Sequence, residues 1–223
     1  LDDLGFTVNA GEICALIGPN GAGKTTLFAL VSGFLRPQGG SVRFDECDIT
    51  GLAPHAICRL GMVRTFQIVQ PFAALSVREN IAVGSHLRHA GRADALDAAS
   101  AVGESVGLGG QLDKSASVLT VAGRKRLELA RALAIEPRLL LLDEVLAGLN
   151  PSEVRDMVPV VRAIGARGVT ILMIEHVMQA VMSLAEHVYV LSEGRIIAEG
   201  SPQVVAGDRR VVEAYLGGAQ ARP

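Results

Sequence analysis

A glycine-rich stretch near the start of the chain constrains the fold more than any other feature of the sequence. Residues 18–26 are Gly-Pro-Asn-Gly-Ala-Gly-Lys-Thr-Thr, a glycine followed by four free positions and then Gly-Lys-Thr. This spacing predicts a phosphate-binding loop, because several backbone N–H groups must face one polyphosphate, and Gly21 and Gly23 allow the tight turn and the close approach. An apolar run precedes the loop at residues 12–17 and helical spacing follows it, so strand, loop and helix come in the required order.

The residue types at the end of this loop match the chemistry of a bound nucleotide. Lys24 is placed to contact the β- and γ-phosphates as a point charge, Thr25 offers a hydroxyl to Mg²⁺, and the helix that follows points its N-terminal dipole at the anion. The alternative is an ordinary glycine-rich turn, which a chain with 25 glycines can contain by chance. The predicted nucleotide contacts of the loop are Gly18, Pro19, Asn20, Gly21, Ala22, Gly23, Lys24, Thr25 and Thr26.

Length, composition and charge limit the class of protein to which the chain can belong. The chain has 223 residues, 49% of them hydrophobic and 20% charged, which is enough for one compact unit with a sizeable core. A net charge of -2 gives no general attraction to nucleic acid, and no apolar run approaches the roughly 20 residues that span a bilayer, so a soluble cytoplasmic domain is expected. The chain begins at Leu1 rather than Met, which suggests a segment of a longer polypeptide. The three cysteines lack metal-ligand spacing and are assigned no role.

The order of predicted elements indicates a parallel sheet with an all-helical insertion. Strands are predicted at residues 12–17, 41–44, 62–67, 139–144, 169–174, 188–191 and 196–198. Helices are predicted at residues 54–60, 77–85, 93–106, 177–184 and 202–216. Ligands of such sheets bind beyond the carboxyl ends of the strands, and Gly18, Gln67, Asp143 and His176 each lie at the end of a predicted strand or just past it.

Further motifs extend the phosphate loop into a family pattern. They are Arg-Thr-Phe-Gln at 64–67, Leu-Leu-Leu-Leu-Asp-Glu at 139–144, Ala-Gly-Leu-Asn-Pro-Ser-Glu at 147–153, Ile-Glu-His at 174–176 and Ile-Ala-Glu-Gly-Ser-Pro at 197–202. With these motifs the chain resembles the ATP-binding cassette (ABC) ATPases over nearly its whole length, and most of all the ATPase subunits of branched-chain amino acid importers. The stretches at 64–67, 147–153 and 174–176 look like the family's glutamine loop, dimer loop and histidine switch.

The resemblance implies a fold and a domain organisation. The fold is α/β, a P-loop NTPase with a parallel-sheet core, an inserted helical subdomain and a β-rich N-terminal part. The core is expected at about residues 1–70 and 136–223, and the helical subdomain at about 71–135, all within one ABC ATPase domain.

The resemblance also implies roles for the residues at the strand ends. Asp143, with Thr25 and Gln67, is expected to hold Mg²⁺, because carboxylates are hard oxygen ligands. Glu144 is expected to act as the general base, His176 to sense the γ-phosphate, and Gln67 also to face a transmembrane partner. The alternatives are a solvated strand-end acid for Asp143, a helix-capping Glu144, a structural His176 and an ordinary exposed glutamine.

The stretch at 119–123, Leu-Thr-Val-Ala-Gly, departs from the family's signature loop, Leu-Ser-Gly-Gly-Gln. Thr120 keeps the hydroxyl, whereas Ala122 replaces the glycine whose N–H approaches the γ-phosphate of the opposite subunit; Thr120, Ala122 and Gly123 are the predicted contacts there. A positive φ at Ala122 would strain the backbone, and a negative φ would leave only crowding by the methyl group. The basic run at 124–126 is expected to be a solvated helix face, with a role beside phosphate as the alternative.

The resemblance finally implies a function and its partners. The expected protein is an ATP-binding and ATP-hydrolysing subunit that powers an importer of branched-chain amino acids or similar small solutes, with ATP and Mg²⁺ as cofactors. Its expected partners are a second ABC ATPase subunit, identical or not, and transmembrane permease subunits at the cytoplasmic face of the plasma membrane, with no nucleic acid. Because the family's adenine-stacking aromatic residue precedes the position of Leu1, weaker adenine affinity is expected for this chain. The alternatives are a soluble ABC ATPase without a transport role and a nucleotide-gated module with weak turnover.

Overall fold

Eight strands form two sheets in residues 1–67 and 70–217, the parts of the chain that the structure, a computed structural model, describes. The strands are β1 Ile13–Ile17, β2 Arg43–Phe44, β3 Cys47–Asp48, β4 Met62–Arg64, β5 Leu139–Asp143, β6 Thr170–Ile174, β7 His187–Ser192 and β8 Arg195–Gly200. The large sheet has the order β4-β5-β6-β1-β7-β8, parallel throughout except for the antiparallel pair β7–β8. The strands β2 and β3 form a separate antiparallel hairpin.

Nine helices in the described residues connect and cover these strands. They are α1 Lys24–Val31, α2 Pro54–Leu60, α3 Val77–Ser85, α4 Arg92–Ser105, α5 Val121–Leu133, α6 Pro151–Gly165, α7 Met178–Leu184, α8 Pro202–Ala206 and α9 Arg209–Gly217. Short side chains fix several of the starting points. Ser76 and Glu79 form a reciprocal capping box at α3, and Asn150 and Glu153 form another at α6. None of the helices in residues 1–67 and 70–217 has the length and apolar character that crossing a bilayer requires.

The large sheet lies between two layers of apolar side chains. All five residues of β1 are buried, with Ala15 and Ile17 in one core cluster and Cys14 and Leu16 in the other. Successive side chains of a strand point to opposite faces, so a strand covered on both faces becomes a continuous apolar run. Strand β5 is likewise covered on both faces, which explains its continuous run of leucines, and it ends in Asp143 at the carboxyl edge of the sheet.

Most predicted segments match an observed element to within two residues at each end, whereas β3, α5 and α6 had no predicted bounds. Three predictions need correction. The strand predicted at 62–67 ends at Arg64, because Thr65 makes the last backbone contact with β5, from its N–H to the Leu141 oxygen (2.9 Å). The strand predicted at 41–44 covers only Arg43–Phe44. The single helix predicted at 202–216 is two helices, because the first ends at Ala206 with Gly207 as its C-cap, and the Asp208 carboxylate accepts the N–H of Arg210 at the start of the second.

The region between β4 and β5 is helical in the described residues, apart from one isolated bridge between Ser76 and Ser115. Helix α3 packs against α4 and α5 there. The division of the chain at about residues 70 and 136 stays a prediction.

Candidate functional site

The phosphate loop connects β1 to α1, and its glycines adopt conformations that other residues avoid. The φ angles are 150° at Gly18, 83° at Gly21 and 106° at Gly23. A Cβ atom at Gly18 would lie 2.0 Å from the carbonyl oxygen of Leu191, so this position has no room for a side chain. At Gly21 no atom lies within 4 Å of that position, and the requirement is conformational only.

Lys24 lies at the centre of this loop. Its side chain is buried, and Nζ donates to the carbonyl oxygens of Gly18 (2.7 Å) and Pro19 (3.0 Å). Burial lowers the pKa of the ammonium group, while the nearby carboxylates of Glu144 and Asp143 oppose that shift. Of the other loop residues, Ala22 is buried and donates its N–H to the Pro19 oxygen, whereas Asn20, Thr25 and Thr26 are exposed.

The three predicted catalytic residues are in direct contact. Glu144 follows β5 at the left-handed φ of 51°. Its Oε2 accepts a hydrogen bond from Nε2 of Gln67 (2.6 Å), and its Oε1 lies 2.8 Å from Nε2 of His176. An ionised carboxylate only accepts hydrogen bonds, so this ring nitrogen of His176 is the donor. The ends of β5 and β6 and the segment after β4 therefore bring these side chains together, although they lie far apart in the sequence.

Asp143, the predicted metal ligand, forms a buried ion pair with Arg64. Nη2 of Arg64 lies 2.7 Å from Oδ2 of Asp143, and the two side chains are only 8% and 4% exposed. The guanidinium group also lies 5.4–6.0 Å from the centres of three aromatic rings, Phe28, Phe34 and Phe66. Sequence analysis gave Arg64 no role of its own. The sequence shows only an arginine near the end of an apolar strand, because its pairing with Asp143 depends on the alignment of β4 with β5, in which Arg64 lies opposite Leu141.

The predicted metal ligands Thr25, Gln67 and Asp143 line one cavity of about 490 Å³. The described part of the chain contains no cluster of three or more His, Cys, Asp or Glu side chains suited to a metal ion. Mg²⁺ does not require such a cluster, because it usually keeps several waters and binds one or two protein oxygens together with phosphates. The hydroxyl, amide and carboxylate oxygens at this cavity therefore fit Mg²⁺.

The signature-loop residues lie at the start of α5, beside a different cavity. Thr120 caps the helix, and its Oγ1 accepts the N–H of Gly123 (3.1 Å). Thr120, Ala122 and Gly123 line a cavity of about 360 Å³ that shares no lining residue with the first. Ala122 is the second residue of α5 and is not among the residues with positive φ. Of the two alternatives for Ala122, the structure therefore selects crowding by the methyl group over backbone strain.

The basic run that follows is not the solvated face that the sequence indicated. Lys125 is 6% exposed, and its Nζ donates to the carbonyl oxygens of Gln67 (3.2 Å) and Glu144 (3.0 Å). Arg126 donates to the Val106 oxygen (2.6 Å), and only Arg124 is exposed. The prediction was wrong for Lys125 because helical position alone does not show what packs against a residue.

Two buried acids near the site were also missed by the sequence. The Glu128 carboxylate accepts the N–H of Phe66, and burial raises its pKa. Glu175, between β6 and His176, is 1% exposed and accepts the N–H of Leu146 (2.9 Å), and burial raises its pKa to about 7. Both acids support backbone groups next to the predicted catalytic residues.

Comparison with known proteins identifies the family. A family model described as ABC transporter matches residues 1–147. The chain belongs to the ABC transporter family. A second model, described as branched-chain amino acid ATP-binding cassette transporter, matches residues 195–221. Family models of ABC transporters therefore match this ABC ATPase in both its N-terminal and its C-terminal parts.

Individual relatives and structures agree with this assignment. The ABC ATPase is 38% identical to the high-affinity branched-chain amino acid transport ATP-binding protein BraF of Pseudomonas aeruginosa, covering 98% of this chain and 92% of the relative. It is 36% identical to LivG of Salmonella typhimurium, a protein with the same description, with the same coverage.

Two solved structures show the same fold. A nucleotide-free ATP-binding cassette from an ABC transporter matches with a TM-score of 0.87 and 33% identity, over 96% of this chain and 92% of that one. A cassette in its ADP conformation matches with a TM-score of 0.86 and 34% identity, over 95% and 90%. The predicted family, the α/β P-loop NTPase fold and the ABC ATPase activity are confirmed; the roles of single residues stay predictions.

Proposed function

We propose that this ABC ATPase powers an importer for branched-chain amino acids or similar small solutes. It works as a dimer with a second ATPase subunit, identical or not, and is held at the cytoplasmic face of the membrane by permease subunits. The support is twofold: BraF and LivG, which this chain matches over 98% of its length, are branched-chain amino acid transport ATP-binding proteins, and the branched-chain family model matches residues 195–221. The match at 195–221 favours a transport role over a soluble ABC ATPase in another pathway.

One observation carries the proposed chemistry: Glu144 is held from two sides, by Gln67 and by His176. Each carboxylate oxygen keeps a second lone pair, so Glu144 can orient the attacking water and accept its proton. Because Gln67 and His176 fix the carboxylate in one orientation, the base is positioned before the substrate arrives.

The phosphate loop supplies the binding part of the mechanism. The ammonium group of Lys24 already faces the loop carbonyls, and it exchanges them for β- and γ-phosphate oxygens when ATP binds. When bound, Mg²⁺ neutralises charge on those phosphates, and Thr25, Gln67 and Asp143 are the residues that would hold it. When ATP binds, the Nε2–H of His176 exchanges the Glu144 carboxylate for a γ-phosphate oxygen, and Gln67 continues to hold the carboxylate.

Two substitutions test this assignment. Glu144→Gln keeps the shape of the side chain and removes the base, so we expect hydrolysis to fall about 100-fold or more while ATP binding stays intact. Lys24→Ala removes a charge-assisted contact and is expected to weaken ATP binding itself. Calorimetric ATP titrations and phosphate release on the purified variants separate the two effects. Near-normal turnover of Glu144→Gln would mean that another group positions the water.

The transport role needs a separate experiment. We expect the chain to co-purify with permease subunits encoded beside it, and its ATPase activity in the assembled importer to rise with leucine, isoleucine or valine and the matching binding protein. An assembled importer that ignores these amino acids would overturn the proposed substrate class. Full ATPase activity without any permease partner would instead favour the soluble alternative.

A further inference from the structure

We propose that Lys125 and Glu128 are positioning residues for ATP hydrolysis, acting as a clamp through which α5 holds the backbones of Phe66, Gln67 and Glu144. This inference rests on the proposed function, because it concerns the alignment of the same catalytic groups. Lys125 and Glu128, together with these backbone contacts, form the α5 clamp.

The two side chains of the α5 clamp share one face of the helix. Residues three apart on a helix are neighbours, and both of these are buried, at 6% and 8% exposure. The Lys125 ammonium group donates to the carbonyl oxygens of Gln67 and Glu144, while the Glu128 carboxylate accepts the N–H of Phe66. The lysine thus holds acceptors and the glutamate holds a donor.

The contacts fall where strand pairing has ended. The sheet fixes β4 only to Arg64, with a last backbone bond at Thr65. The N–H of Phe66 and the carbonyl of Gln67 then bond to side chains of α5. The backbone position of Gln67 is therefore set by the helix that begins at the signature loop.

The same lysine also reaches the predicted general base. Glu144 adopts a left-handed φ of 51°, a conformation that is unfavourable for a residue with a Cβ atom and needs support from its surroundings. Its carbonyl oxygen bonds to Lys125 and its side chain to Gln67. Lys125 therefore holds the backbones of Gln67 and Glu144, the two residues whose side chains hydrogen-bond to each other.

A purely structural role does not account for this choice of side chain. Burying an ammonium group is unfavourable unless it is hydrogen-bonded, and an apolar residue of similar length would fill the same space without that cost. Charge-assisted bonds are directional, so Lys125 fixes positions that apolar packing would leave loose. In the described hydrogen bonds, Lys24 of the phosphate loop shares no partner with the clamp residues. Glu128 lines the same cavity as Thr25 and Asp143, so the test measures the dissociation constant for ATP beside kcat.

The test compares Lys125→Met with Lys114→Met in the full chain. Lys114 is an exposed lysine, so its variant controls for the loss of a charge. We expect Lys125→Met to lower kcat about 10- to 100-fold with less than a threefold change in the dissociation constant for ATP, because small misplacements at a reacting centre cost up to about 100-fold. Lys125→Arg should restore kcat to within about fivefold of the wild type, and Lys114→Met should match the wild type.

Glu128 gives an independent measurement, which also serves if Lys125→Met does not fold. Glu128→Gln keeps an oxygen for the Phe66 N–H and should stay within about threefold of the wild-type kcat, whereas Glu128→Leu should lose about tenfold. Unchanged kcat in the folded Lys125→Met variant, or in Glu128→Leu, would overturn the clamp. So would a loss of kcat that Lys125→Arg fails to rescue, or one matched by an equal loss of ATP affinity.

Failure of the clamp proposal can be distinguished from failure of the proposed function by comparing the clamp variants with Glu144→Gln. If Glu144→Gln abolishes hydrolysis while the clamp variants keep the wild-type kcat, the ATPase assignment holds and the clamp is wrong. If Glu144→Gln hydrolyses ATP normally, the assignment of the base fails whatever the clamp variants show.

Discussion

At the scale of single residues, Glu175 is the buried group with the clearest consequence for stability. It is 1% exposed, and burial raises its pKa from 4.5 to about 7; the nearby Glu144 adds to the rise, and Lys125 and two backbone N–H groups oppose it. The folded state therefore keeps a proton on this carboxyl group between about pH 4.5 and pH 7, where the unfolded chain has lost it. The contribution of Glu175 to the free energy of unfolding is therefore fully present below about pH 4.5, and it is lost as the pH rises through about 7.

We expect the Glu175→Gln variant to lose this pH dependence. Glutamine keeps an oxygen for the N–H of Leu146 but does not ionise. From pH 5 to pH 8 the wild type should lose at most about 3 kcal/mol of unfolding free energy through Glu175, and the variant should lack that part of the decrease. Urea unfolding of both proteins at the two pH values measures the difference. Equal decreases in both proteins would show that Glu175 ionises normally in the folded state.

At the scale of the elements, local signals predicted the bounds of α2 and α3, whereas α5 and α6 had no predicted bounds and residues 202–216 form two helices instead of the predicted one. Helix α2 begins at Pro54 and α3 is capped by Ser76 and Glu79, and both helices have the predicted bounds. The partners of Arg64 and Lys125 depend instead on how β4, β5 and α5 come together. No pattern within one element carries that information, so the sequence predicted the contents of the site but not the buried charges that support it.

The pair of strands β4 and β5 provides a prediction at this scale. Arg64 and Asp143 are both buried and paired across the two strands. Removing one partner of such a pair leaves an uncompensated charge and typically costs about 3–5 kcal/mol. We expect Arg64→Met and Asp143→Asn each to destabilise the fold to about this extent, and the double variant to be about 1–3 kcal/mol more stable than the sum of the two losses.

Urea unfolding of the wild type, both single variants and the double variant completes this cycle. Additive losses would mean that the two side chains contribute independently, with Arg64 acting mainly through its contacts with the three aromatic rings. The cycle needs no nucleotide, so it tests the architecture separately from the activity.

At the scale of the whole molecule, the phosphate-loop side and the signature-loop side of the chain lie at separate cavities. In the proposed dimer each signature loop faces the nucleotide of the other subunit, so two chains complete two sites. In that dimer the predicted contribution of this chain to its partner's site is the start of α5, where Thr120 caps the helix and the first N–H groups have no helical acceptor. Ala122 lies in this first turn and places a methyl group where the family has only hydrogen.

We expect Ala122→Gly, in a Glu144→Gln background, to strengthen ATP-induced dimerisation about threefold to tenfold. Because Ala122 is helical, no strain is relieved, and the gain comes only from removing a methyl group that crowds the partner's phosphate in the closed state. Glycine also weakens the helix by up to about 1 kcal/mol, but this cost applies to monomer and dimer alike. ATP affinity of the monomer should stay almost unchanged, because Ala122 lines a different cavity from Thr25 and Asp143.

Sedimentation with and without Mg-ATP measures the dimer fraction. The Ala93→Gly variant, which changes the same position of α4, controls for the effect of glycine on helix stability. An unchanged dimer fraction would show that the loop accommodates the methyl group, and that Thr120 and the helix N-terminus suffice to hold the opposing phosphate.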